Sequence, residues 1–227
     1  MPFSMILVGQ ETARTVLNIL GIAASIGVVA LNFRSINWKE FLKITITMLV
    51  GMAIGFVIIR FANISKQILY FILAGFVLIF TAIGIYTTFF KKEKEEKDTL
   101  FKTILLFGLL VVAGIVHGMY VCGGPLLIIY ATKKLKDKDE FRSTLSMSWI
   151  VLNSVNLVRD VVAGKFIFGS AAHMGMVIGI ALAVLIVAIV VGNLLAKKLN
   201  RKAFMIITYV LMAISAVSLI LNACGII

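Results

Sequence analysis

Charge is scarce in this chain, and so are the residues on which most enzymes depend. Only 14% of its 227 residues are charged, and it contains two histidines, two cysteines and two prolines. A soluble domain averages about 25% charged and about 45–50% apolar residues, whereas this chain is 61% hydrophobic with a mean hydropathy of +1.09. The scarcity of charge excludes an ordinary soluble domain and predicts an integral membrane protein.

The sequence also lacks the motifs of catalysis and of metal or cofactor binding. It contains no HExxH, CxxC or Gly-x-Ser-x-Gly pattern, and Cys122 and Cys224 share no metal-type spacing. We therefore expect no enzymatic step, no cofactor and no bound metal. The excess of 22 basic over 10 acidic residues does not predict nucleic-acid binding, because most lysines lie in short loops between apolar runs.

Long apolar runs are what the chain has in place of charge. A membrane-spanning helix needs about 20 apolar residues, and continuous rather than alternating runs favour helices over a barrel. Two short apolar pieces, Pro2–Val8 and Pro125–Ala131, are predicted to be broken half-helices or re-entrant segments. The sequence thus predicts an all-α polytopic membrane protein with about seven transmembrane helices, at Thr15–Phe33, Ile44–Ala62, Ile68–Phe90, Thr103–Val121, Thr144–Val158, Ser170–Ala196 and Phe204–Ala223.

The basic loops predict the topology. If Pro125–Ala131 carries the chain back across the membrane, four basic loops share one face: Arg34–Lys43, Lys91–Lys102, Lys133–Arg142 and Lys197–Lys202. Short loops rich in lysine and arginine stay on the cytoplasmic side. We therefore expect a multi-pass protein of the plasma membrane with these loops in the cytoplasm. The lipid bilayer is then its main partner, and a homo-oligomer is an open alternative to a monomer.

The two halves of the chain resemble each other. In each half a proline, a short apolar piece and a polar patch containing Arg14 or Arg142 precede three long apolar runs. The predicted topology starts one of these helices on the outer face and the other on the inner face, so the repeats are inverted, as in many secondary transporters. We predict a first repeat over residues 1–90 that lacks its leading helix, a charged cytoplasmic linker over 91–102 and a second repeat over 103–227.

The stretch Gly114–Arg142 interrupts the apolar pattern. Its Gly123-Gly124-Pro125 sequence does not suit a regular helix, because glycine carries an entropic cost and proline lacks the N–H group. In a bilayer, such a break survives where protein or a water-filled cavity satisfies the backbone, and it indicates the substrate site of a transporter. Exposed N–H groups at a helix N-terminus suit an anion. The alternative is a break that serves packing alone.

The candidate site residues lie around this break and on the helix after it. His117, about two turns earlier, can bind the anion or carry a coupled proton, because ionisable groups inside a membrane are functional by default and histidine titrates near neutral pH. Each candidate also has a structural alternative, such as a snorkelling arginine or an asparagine that bonds a neighbouring helix. The predicted substrate-binding residues are Gly123, Gly124, Pro125, His117, Tyr120, Asn153 and Arg142, and His117 and Arg142 are also assigned to coupling or gating.

The chain resembles the sulfite exporter (TauE/SafE) family of membrane permeases through the run A-G-I-V-H-G-M-Y-V-C-G-G-P-L-L-I-I-Y, followed by K-D-K-D-E-F-R-S-T-L. The N-terminal half, with A-R-T-V-L-N and N-W-K-E-F, is similar more loosely. The resemblance implies a helical permease of two related halves that moves sulfite, sulfonates or other small organic anions. From the break and the inverted repeats we predict transport by alternating access. An anion channel and an accessory or assembly subunit are the alternatives. The departure is at the start, where only Pro2 remains of a glycine-rich first-half segment.

Overall fold

Helices alone make up the regular structure of the described chain. The computed structural model describes residues 10–61, 66–89, 100–121, 123–164 and 171–225. Within them the α-helices are α1 (Gln10–Asn32), α2 (Trp38–Phe61), α3 (Lys66–Phe89), α4 (Leu100–Tyr120), α5 (Gly124–Lys134), α6 (Lys138–Val162), α7 (Ala171–Lys198) and α8 (Arg201–Ala223), with a 3-10 turn at Phe33–Ser35 after α1. The predicted all-α class is confirmed.

The predicted apolar runs fall on these helices. Three stretches of the described chain are long and apolar enough to cross a membrane: Arg14–Ser35, Trp38–Ile58 and Thr103–Tyr120. The count of seven spans stays a prediction. The short piece Pro125–Ala131 lies within α5, whose 11 residues extend over about 16 Å at about 1.5 Å per residue, roughly half of the hydrocarbon thickness. Pro2–Val8, most of the charged linker and Cys122 lie outside the described residues.

Two compact units form within the chain. The first contains α1, the 3-10 turn, α2 as far as Ile46, α6 and α7, and the second contains α2 from Thr47 onward together with α3, α4, α5 and α8. Each unit draws helices from both halves of the sequence. The division of contacts therefore differs from the predicted division into two repeats, which stays a prediction.

In the first unit, α1 packs along α6 in the antiparallel direction. Arg14 near the start of α1 contacts Asp160 near the end of α6, whereas Val29 near the end of α1 belongs to a core with Met147 and Ile150 of α6. Side chains of α7 also reach α1, since a Cβ added at Gly27 would lie 3.0 Å from Ile189 Cδ1. The first unit is thus a layer of long helices with α1 in contact with both others.

Asn37 joins the start of α2 to α6. Its side-chain Oδ1 accepts a hydrogen bond of 3.0 Å from Glu40 N, which caps the N-terminus of α2. Its Nδ2 donates to Glu140 Oε1 at 2.7 Å, and its backbone N–H donates to Thr144 Oγ1 at 3.0 Å. On the other side of this joint, Asp137 caps α6 by accepting from two backbone N–H groups of the first turn. Local capping and tertiary contact therefore coincide at one residue.

In the second unit, glycines bring α2 and α4 into backbone contact. Gly51 and Gly55 of α2 face α4, and a Cβ added at Gly51 would collide with the carbonyl oxygen of Val111. Gly114 and Gly118 of α4 face α2 in return, and a Cβ added at Gly114 would collide with the carbonyl oxygen of Met48. Each helix thus carries a G-x-x-x-G pair at the crossing, the arrangement that allows close approach of helices in membranes.

A glycine-to-alanine substitution, which adds a single methyl group, tests the close contact of α2 and α4. Replacing the buried Gly114 by alanine forces α2 and α4 apart, and we expect the free energy of unfolding to fall by about 1–3 kcal/mol, the usual cost of overpacking. Gly108→Ala on the same helix is the matched control, because nothing lies within 4 Å of the added Cβ. It should gain about 0.5–1 kcal/mol from helix propensity. Unfolding of the purified protein in micelles measures both, and equal effects of the two variants would contradict the crossing.

Candidate functional site

The break between α4 and α5 is held by backbone contacts within the second unit. Val121 N–H donates to His117 O at 2.8 Å, which closes the last turn of α4, and Val121 then adopts a left-handed conformation with φ of 56°. The chain enters α5 at Gly124, and Leu127 N–H donates to Gly123 O at 3.2 Å. The helical hydrogen bonding is therefore interrupted between Tyr120 and Gly124.

Gly123 lies directly against the helix that it has just left. A Cβ added there would collide with the carbonyl oxygen of Ala113 and lie 2.8 Å from His117 Cβ. Only glycine fits this position, which explains the first glycine of the pair in physical terms. His117 and Tyr120 are both buried, with 2% and 8% of their surfaces exposed. Five of the predicted site residues, Gly123, Gly124, Pro125, His117 and Tyr120, therefore come together around the break.

The other two predicted site residues, Arg142 and Asn153, lie on α6 in the first unit. Eleven residues separate them, which is about 16 Å along a helix, so they do not contact one another. Arg142 is half-buried in the second turn of α6, and Asn153 is 4% exposed. The structure therefore divides the predicted site residues between two units, five in one and two in the other.

Asn153 belongs to a polar group that we name the α1–α6 seam. Its members are Arg14, Asn18 and Gly21 of α1, and Asn153, Asn156 and Asp160 of α6. Arg14 Nε contacts Asp160 Oδ2 at 2.9 Å, and Arg14 Nη2 donates to Asn156 Oδ1 at 3.3 Å. Arg159, which precedes Asp160 in the sequence, contacts the second oxygen of Asp160 at 2.7 Å. The Asp160 side chain is 3% exposed, so this carboxylate is buried between two guanidinium groups.

Sequence reasoning missed the Arg14–Asp160 pair. The sequence shows Arg14 in the polar patch of the first repeat and Asp160 just after the Thr144–Val158 run, and the structure adds a contact between these distant parts of the chain. A signal was present, because the predicted topology starts the first of these helices and ends the second at the outer face. Within the part of the chain that the structure describes, no group of three histidines, cysteines or acidic residues could hold a metal ion.

The buried ion pair predicts an asymmetric response to substitution. Asp160→Leu leaves two guanidinium groups without their carboxylate, and removing one partner of a buried pair costs about 3–5 kcal/mol of unfolding free energy. The double variant Arg14→Leu/Asp160→Leu should lose less than Asp160→Leu alone, because it leaves fewer uncompensated charges.

The control for this prediction is the pair of Lys43 and Glu40, which are 2.6 Å apart, with 39% of the Lys43 side chain and 12% of the Glu40 side chain exposed. Lys43→Leu should cost about 1 kcal/mol, because the ammonium group that it removes is open to solvent. Denaturant titration of the three variants and the parent protein gives the comparison. If Asp160→Leu cost no more than Lys43→Leu, the pair would not stabilise the first unit.

Comparison with known proteins places the chain in a family. The family model of the sulfite exporter TauE/SafE matches residues 1–219 of the chain. No match was found among the curated proteins or among the solved structures. Because the family model covers nearly the whole chain, the resemblance around Gly123 and Pro125 extends to both halves. The chain therefore belongs to the sulfite exporter TauE/SafE family.

Proposed function

We propose that the chain is a secondary carrier that moves small oxyanions such as sulfite and sulfonates by alternating access, with the anion held at the break between α4 and α5. The family consists of membrane permeases for sulfite and related anions, which are transporters rather than enzymes. The choice among anions, the carrier mechanism and the location of the site are our proposal.

The observation that carries the proposal is the packing of Gly123 against His117. The N–H groups ahead of the first α5 hydrogen bond have no acceptor within that helix, and a helix N-terminus has about half a positive charge. Pro125 supplies no N–H, which leaves Gly123, Gly124 and Leu126 as the donors of the first turn. An anion held there would be close to a buried histidine, which can add a hydrogen bond or a proton.

The packing in the first unit supports the inverted repeat on which alternating access depends. In the predicted repeats, α1 and α6 are equivalent helices, because they contain the matching arginines Arg14 and Arg142. They run antiparallel along one another, as equivalent helices of inverted repeats do when they meet at the axis in the membrane plane. In many secondary transporters the broken helices of such repeats bind the substrate.

Transport by the reconstituted protein tests the proposal. Liposomes containing the full chain should take up sulfite, and His117→Ala should reduce the initial rate by about ten-fold or remove its dependence on pH, since it removes the buried imidazole beside the break. Ser218→Ala is the control, because Ser218 is a buried polar residue of α8 that lies outside the proposed site.

Three outcomes would contradict parts of this proposal. Absence of flux for sulfite and for sulfonates would contradict carriage of these anions. Flux too fast for a carrier, without exchange of labelled substrate against unlabelled substrate, would indicate a channel. Unchanged transport and pH dependence in His117→Ala would assign this histidine to packing.

Orientation is tested separately by cysteine labelling from either side of the membrane. In a background with Cys122→Ser and Cys224→Ser, we expect Lys39→Cys, Lys133→Cys and Lys198→Cys to be labelled from the cytoplasm and Gly164→Cys from outside, because basic loops stay inside. The comparison of Lys39→Cys with Lys133→Cys decides whether α5 carries the chain back across. Labelling of Lys133→Cys from outside and of Gly164→Cys from the cytoplasm would instead show that α5 returns to its own side.

A further inference from the structure

Two buried carboxamides of the α1–α6 seam have polar atoms without a hydrogen-bond partner among the residues that the structure describes. Asn18 is fully buried, and neither its Nδ2 nor its Oδ1 is bonded. Asn153 is 4% exposed, and its Oδ1 is also without a partner there. A half-turn of this carboxamide exchanges Oδ1 for Nδ2 and presents a donor in the same place. An unsatisfied buried polar group costs about 1–3 kcal/mol, and such groups are rare in native proteins. Two such amides in one seam indicate that a polar ligand binds between the helices.

The register of the two helices brings these amides to one place. Arg14 contacts Asn156 and Asp160, and seven residues further along α1 a Cβ added at Gly21 would lie 2.5 Å from Asn153 Nδ2. Asn18 lies between these two contacts on the same face of α1, level with Asn156. Because Gly21 has no side chain, the amide of Asn153 can lie directly against the backbone of α1. The seam is thus a row of polar groups between two helices, and every one of them belongs to the first unit.

The net charge of the seam indicates whether a bound ligand would be an anion or a cation. Arg14 and Arg159 contribute two positive charges and Asp160 contributes one negative charge, so these three described side chains leave one positive charge in excess. Both Asp160 oxygens are already in contact with guanidinium groups, which leaves a cation no carboxylate to bind. Amide N–H groups beside an excess positive charge favour an anion with several acceptor oxygens.

We propose that the α1–α6 seam is a binding site for a small oxyanion of the sulfite or sulfonate type, in which Asn18 and Asn153 donate neutral hydrogen bonds and Arg14 supplies the attracting charge. This site is additional to the one at the break. The inference rests on the proposed function only in expecting that the anion bound here is also transported.

Binding measured on the full chain in detergent micelles tests the seam directly. Sulfite and methanesulfonate are the probes, and the variants are Asn18→Leu and Asn153→Leu. Each should weaken binding by about ten-fold or more, because it removes an N–H donor from the anion. Without anion, both variants should unfold at the same temperature as the parent protein or at a higher one, since leucine removes an amide whose polar atoms are unsatisfied.

Asn32→Leu is the matched control, because Asn32 lies on the same helix about 27 Å from Arg14 and its side chain bonds Val28 O instead. Its affinity should stay that of the parent protein. Affinities of the two seam variants within about two-fold of the control would overturn the inference. So would a lower unfolding temperature of both variants in the absence of anion, because it would show that the amides are satisfied structural groups.

The liposome measurement separates this inference from the proposed function. If the parent protein binds sulfite through Asn18 and Asn153 but transports none, the seam site stands and the carrier proposal fails. If sulfite is transported and both seam variants bind and transport it as the parent does, the carrier proposal stands and the seam site fails. If the parent protein binds neither probe, the seam site fails whatever the flux.

Discussion

In a membrane, burial of apolar surface contributes little to the association of helices, because lipid chains solvate that surface as well as a neighbouring helix does. Association then depends on close approach of backbones and on polar groups that must find partners inside the protein. Both kinds of contact are present here. The glycines at Gly51 and Gly114 bring α2 and α4 to backbone distance, and Arg14 with Asp160 connects α1 to α6.

The sequence predicted what depends on neighbouring residues. Apolar runs gave the helices, and Gly123-Gly124-Pro125 gave the break, because hydropathy and the backbone chemistry of glycine and proline are local properties. Contacts between residues distant in sequence could not be predicted in this way. The G-x-x-x-G spacing of Gly51 and Gly55 is visible in the sequence, but which helix they face is decided by tertiary packing. Asn153 was predicted as a site residue, whereas the unbonded state of Asn18 beside it appears only in three dimensions.

The two sites that we propose would work by different chemistry. At the break, backbone N–H groups and the dipole of α5 would attract the anion, with no cationic side chain needed. In the α1–α6 seam, side chains would attract it, with a guanidinium group whose charge is partly balanced by Asp160. Such a partial balance would suit transport, since a cargo must be released as well as bound. A full, unpaired positive charge would hold an oxyanion too firmly.

Val121 gives the connection between α4 and α5 a mechanical character. A β-branched residue is an outlier at a φ of 56°, and a residue held in so sparsely populated a region costs of order 1–3 kcal/mol. The tight seat of Gly123 against Ala113 fixes the turn in that conformation. The turn therefore stores backbone strain, and a displacement of Gly123 away from Ala113 would allow Val121 to leave the left-handed conformation. Release of this strain would favour movement between α4 and α5.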